Sequence, residues 1–401
     1  MTHSTRPADR YSPLYFLASL GAGGTAVTFF LWLYFWVPHP GQSVPVFEDI
    51  SAALTSGPLL QKVMIVAAMV GILFFAYHNI RLLIWNLRQL SDFKKTDAYR
   101  ALSASNAQTQ LTAMPLTIAM TINVGFILGM VFVPGLWSVV EYLFPLAIIA
   151  FTATGGLALA QVGSFLGRVK TEGGFDWTAN GSFAQMLPAF ALSMVGVGLA
   201  APGALSHVAL TSGIAIMLAT FFMMAALLVG LVALVLGVHS MMSHGTTPEA
   251  APTIMVVIPI LTVLGILGMR VNHGLHVNFE DHSTAAQVLM FLTKTYSVQI
   301  LFALLGIEML RRVGYAKRFL FGAENSAGAY ALVCPAVAFG VMTQFWLNAG
   351  LVQSGLVTKF SLAFWLLSLI AFAAQGLAIW LVLHLNRRHF GRVAAQPVPA
   401  E

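Results

Sequence analysis

His273 and His276 stand three residues apart in the stretch NHGLH, with Glu280, Asp281 and His282 just beyond. At that spacing both imidazoles share one helix face, where they could ligate a metal or one of them haem iron. No third ligand has a fixed spacing, so histidines meeting water and headgroups at a membrane interface fit the pattern as well. Haem b would need two axial ligands at one depth on neighbouring helices. His78, His239 and His384 fall near one set of helix ends, and His207 with His273 or His276 offers a pair at the other. The sole cysteine, Cys334, directly precedes Pro335. A helix N-terminus there favours thiolate and makes Cys334 a redox candidate; a small, buried, apolar residue is the plain alternative. One cysteine excludes an internal disulfide and any multi-cysteine metal site.

These groups belong to a chain of 401 residues that is 58% hydrophobic and 8% charged, where soluble domains carry roughly a quarter charged residues. The partner such a chain requires is a lipid bilayer. About 20 mainly apolar residues cross one as a helix, and that template predicts ten spans: 13–37, 59–84, 113–133, 142–166, 183–203, 207–238, 253–271, 286–310, 328–351 and 358–385. None alternates as a barrel strand would, so the fold class is all-α and polytopic. The organisation is an N-terminal segment 1–12, one ten-helix domain over 13–385 and a tail over 386–401. Sixteen of the twenty Lys and Arg residues, all but Lys62, Arg270, Lys294 and Lys359, then fall on the side of the termini. The positive-inside rule places both termini in the cytoplasm. The net charge of +6 is thus a topology signal; no basic face tracks phosphates, which excludes nucleic acid as a partner.

Each odd-numbered span carries a proline near its cytoplasmic start: Pro13, Pro115, Pro188, Pro259 and Pro335, the last four separated by 73, 71 and 76 residues. Proline suits the first turn of any helix, but five in register predict five helical hairpins in a pseudo-five-fold arrangement. Odd helices, with glycines and proline bends, would form an inner ring and even helices an outer one. The residues expected on the axis are small or hydroxylic, among them Gly21, Gly24, Thr121, Asn123, Ser193, Thr262 and Thr343. An axis without carboxylates and with Arg270 near its outer mouth favours anions. Close packing of helices alone would also explain the small residues.

Ten helices in proline-marked hairpins resemble the tellurite-resistance/dicarboxylate transporter family, which includes the plant slow-type anion channels. The stretches YSPLYFLASLGAGG, VPGLWSVVEYLFPLA, IPILTVLGILGMRVNHGLH and ALVCPAVAFG resemble a bacterial branch of it, the TsoY-type (seleno)proteins, in which the selenocysteine would stand at Cys334. The resemblance implies a protein of the bacterial inner membrane, a homotrimer with one pore per subunit, and a phenylalanine gate on the ninth helix, Phe339 or else Phe345. Two functions follow as expectations. One is a channel or transporter passing small anions along the axis without a cofactor. The other is a membrane redox protein on the same scaffold, using Cys334 with a histidine-ligated haem b or metal.

Overall fold

The computed structural model describes residues 11–280 and 284–391; of the sequence features above, residues 1–10, Asp281, His282 and the tail from Arg392 lie outside them. Among the described residues there is no strand, and ten helices are long and apolar enough to cross a membrane. They are α1 (Pro13–Trp36), α2 (Leu59–Phe93), α3 (Asn106–Phe132), α4 (Leu136–Glu172), α5 (Ala184–Leu205), α6 (Ala209–His244), α7 (Pro248–Phe279), α8 (Ala285–Arg312), α9 (Ala327–Val352) and α10 (Leu362–Phe390).

All five odd spans begin with a 3-10 turn that leads into the α-helix. The five prolines sit in or next to this entry, Pro13 opening its turn and the other four within the first three residues of their α-helices. Pro13, in the first turn of its span, stands where an N–H has no intrahelical acceptor and proline loses nothing; the other four stand where the 3-10 turn hands over to the α-helix. Ser12 completes the entry of α1 by accepting from Leu14 N at 3.3 Å. Three other prolines lie inside helices, Pro145 and Pro202 in α-helix and Pro252 in the 3-10 entry of α7.

The odd spans pack in a closed cycle, α1 on α3, α3 on α5, α5 on α7, α7 on α9, and α9 back on α1. Each even span seats between the odd span before it and the one after it, with α10 between α9 and α1. Burial follows this order: the most apolar window is 89% buried in α1 and 83% in α5, but 28% in α6 and 17% in α8. Even spans therefore turn long apolar faces outward, such as Val63, Val66, Val70, Leu73 and Tyr77 on α2. Such faces match hydrocarbon as a solvent. Polar pairs fasten the two layers: Ser19 Oγ donates to Asn79 O at 2.7 Å, and Asn79 Nδ2 donates to Ser19 O at 2.9 Å.

Even spans run past the ends their hydropathy predicts: α2 to Phe93 rather than 84, α4 to Glu172 rather than 166, α6 to His244 rather than 238. Apolarity stops at charges such as Arg88 and Arg168, but Arg, Gln, Leu and Glu are good helix formers and the ladder continues. At about 1.5 Å per residue the 35 residues of α2 span about 52 Å, against about 30 Å of hydrocarbon. α7 likewise continues to Phe279, so His273 and His276 are helical.

Candidate functional site

All five odd spans line a single cavity of about 910 Å³. Each contributes one stripe at helical spacing: Leu20, Gly24, Val27, Leu31 and Tyr34 on α1; Met120, Asn123, Ile127 and Met130 on α3; Phe190, Met194, Val197 and Ala201 on α5; Pro259, Val263, Ile266, Arg270 and His273 on α7; Cys334, Val337, Val341 and Phe345 on α9. Steps of three and four residues keep one helix face on the cavity. Gly21 and Gly24 let α1 approach α9 closely, because a Cβ on either would press on Val333 or Val337. Of the even spans, α4 and α8 add lining residues near the mouth, including Phe144 and Phe291.

The cavity has a mouth and a floor. At the ends of the odd spans it is bordered by exposed groups, Glu48, Val133, His273 and His276 among them. At their beginnings it stops at Leu20, Met120, Phe190, Pro259 and Cys334. Below that level the first turns are packed solid; Phe16, Ala113, Leu116, Tyr330 and Val333 have no exposed surface. Thr117 Oγ1 ties α3 to α1 there, 3.1 Å from Phe16 O.

Arg270 is the only Lys or Arg among the lining residues. Its Nη1 donates to Val197 O at 2.8 Å, one of five donors that a guanidinium carries. Among the described residues no carboxylate stands within ion-pair distance of it. Tyr34 of α1 lines the same cavity. Glu48, the one lining carboxylate, stands at the rim and accepts from Gly135 N at 2.7 Å. His273 Nε2 lies 3.0 Å from Ser43 Oγ, a contact that ties the 37–46 connection to α7. His276, one turn further on the same face, also lines the cavity.

Of the ten residues named for the axis, its mouth or a gate, six therefore line this space: Gly21, Gly24, Asn123, Thr262, Arg270 and Phe345. Phe345 meets Phe35 edge-on with ring centroids 5.3 Å apart, at the point where α9 widens from an α-helix into the π-turn Trp346–Val352. Phe339 instead lies off the cavity against Tyr296, 5.1 Å between centroids. Thr121, Ser193 and Thr343 also lie off it and donate to their own helices, to Thr117 O, Phe190 O and Phe339 O at 2.9, 2.9 and 2.7 Å. Such back-bonds satisfy a hydroxyl without any ligand. Thr262 donates to Ala338 O at 3.1 Å and accepts from Gln299 Nε2 at 2.7 Å. Asn123 Nδ2 donates to Ala119 O at 3.0 Å.

The remaining histidines are dispersed. His78 Nδ1 is 2.9 Å from Phe74 O in its own helix, whereas His384 Nε2 is 2.7 Å from Leu320 O and its ring stacks on Trp380. His239 and His207 are exposed, and His207 N donates to Glu141 Oε1 at 2.7 Å. Among the described residues no three His, Cys, Asp or Glu side chains gather as a metal-ligand set. Cys334 sits at the cavity floor, 8% exposed.

Two placements escape a reading of the sequence, one in the cavity and one outside it. Tyr34 looks like an interfacial aromatic, and its only signal is the Gly24–Val27–Leu31–Tyr34 spacing. His389 is buried, with Nδ1 3.0 Å from Tyr15 Oη, but in sequence it belongs to a polar tail. No protein-family model matches the chain, and no curated protein matches it.

Proposed function

We propose that this chain passes small anions across the bacterial inner membrane along the axis of its odd helices, with the mouth of the cavity facing outward. One observation carries the reading: five spans converge on one cavity whose only Lys or Arg, Arg270, has no acidic partner among the described residues. An unpaired cation within a span is expensive unless it serves an anion, and apolar walls strengthen its field. Phe345, at the start of the π-turn, is the gate candidate in place of Phe339, since it faces the cavity and stands where α9 changes its winding. The resemblance to the tellurite-resistance/dicarboxylate transporters supports a five-hairpin repeat and a homotrimer with one pathway per subunit. Reconstituted into liposomes, the protein should carry chloride or nitrate flux above empty vesicles. Arg270→Gln should lower that flux and Phe345→Ala raise it; flux equal to empty vesicles in all three refutes the reading.

A second reading, thiol redox chemistry, draws on the exposure of Cys334 to the same cavity. A Soret band in the purified protein would favour it, whereas colourless protein whose anion flux survives Cys334→Ser removes it.

A further inference from the structure

The size and the chemistry of the cavity suit an occupant larger and more apolar than a simple inorganic anion. At about 30 Å³ per water, about 910 Å³ would hold some thirty water-sized ions. Pockets of about 300–1,000 Å³ enclose drug-sized organic ligands. Below the rim, where Glu48 stands, the one charged side chain is Arg270, and the wall from there to the floor is mainly apolar, with Ile127, Met120, Met194, Val263, Phe190 and Val337. From Arg270 to Pro259 is eleven residues of α7, about 16 Å of helix.

Polar atoms below Arg270 are few and largely taken. Thr262 is engaged by Ala338 O and Gln299, and the Asn123 amide donates to its own helix. An inorganic ion moving past Arg270 would meet no further Lys or Arg and few free donors on these walls, and it would leave their apolar area without a partner. A second negative charge on the ligand would meet no second Lys or Arg in the cavity.

We propose that the cavity takes a monovalent organic anion with an apolar body, a medium-chain carboxylate in type, with its charge on Arg270 and its tail against the apolar walls toward Leu20, Met120 and Phe190. This inference rests on the reading of the axis as an anion pathway and names its substrate class. Tail burial sets the affinity scale: each methylene removed from water contributes about fourfold.

The test uses protein in lipid nanodiscs, with equilibrium dialysis of radiolabelled butyrate, hexanoate and octanoate and with empty nanodiscs subtracted. Binding should rise at least threefold per added methylene. It should fall at least tenfold in Arg270→Gln and be partly retained in Arg270→Lys, which shows that the fold survives. Suberate, with a carboxylate at both ends, should compete at least tenfold more weakly than octanoate, and chloride should not compete at millimolar concentration. Suberate or chloride competing as well as octanoate overturns the proposal, as does binding indifferent to chain length. If carboxylates fail to bind while chloride flux persists and depends on Arg270, the substrate class falls and the pathway stands. If flux and binding are both absent, both fall.

Discussion

Cys334 is the only thiol of the chain and lies at the floor of the cavity, so its modification rate reports the electrostatic potential there. Arg270 is about 16 Å up α7 from the floor residue Pro259. With an effective dielectric near 20, a unit charge at that distance experiences about 1 kcal/mol. An anionic methanethiosulfonate should therefore be favoured by about 1 kcal/mol and a cationic one disfavoured by as much. After normalisation of each reagent to a small thiol in solution, the rate ratio at Cys334 should be about thirtyfold at low salt. Reaction requires the thiolate, so absolute rates at a buried thiol will be low and the ratio is the quantity to measure. The assay is mass spectrometry of intact protein in nanodiscs against time, with Arg270→Gln as the perturbation. In that variant the ratio should collapse to about one, and at 1 M salt it should shrink in the native protein too, because the Debye length falls to about 3 Å. A native ratio near one, a ratio unmoved by Arg270→Gln, or modification only after unfolding would each refute the reasoning.

Three further outcomes follow from packing and charge. Gly198→Ala should destabilise the protein by about 1–3 kcal/mol, because a Cβ there would land in the ring of fully buried Phe151; thermal unfolding in detergent measures it, and adding Phe151→Leu should recover part of the loss. Arg388→Ala should cost about 1–3 kcal/mol in the same assay, since its guanidinium donates to Leu320 O, Gly322 O, Glu324 O and Asn325 Oδ1 at 2.7–3.0 Å; Arg388→Lys should recover less than half, lacking the planar fork. In the 173–183 connection, the Thr178 hydroxyl and the backbone N–H groups of Ala179 and Thr178 hold Asp176 below the usual carboxylate range. A depressed folded pKa means that this stabilisation is present above the ordinary aspartate value and is lost as pH falls through the folded one; hydrogen-exchange protection of residues 176–180, relative to the intrinsic rate at each pH, should fall in that acid window, and in Asp176→Asn it should not change with pH there.

The helix count was legible because a span is defined by length and apolarity, and both are local. Rotation about each helix axis was not. A surface helix declares its inner face through a polar opposite face, but α1 and α5 are buried on nearly all sides, and nothing in Ser193 or Thr343 says that the hydroxyl turns back to its own helix. Arg270 was found because a cation in an apolar run stands out in any orientation. Phe339 and Phe345 could not be separated by type; the six-residue step from one to the other turns the helix far enough to put one on the cavity and one on Tyr296. The entry prolines were informative for a related reason, since their position depends on where a helix starts and not on how it is rotated.

The closed floor has an electrical consequence. A water-filled cavity open to one face carries that face's potential down to its base, so a membrane voltage would drop mainly across the packed layer of Phe16, Leu116 and Tyr330. An ion beside Arg270 would then feel little of the voltage, while the step through this thin layer would take nearly all of it, about 2.3 kcal/mol per charge for each 100 mV.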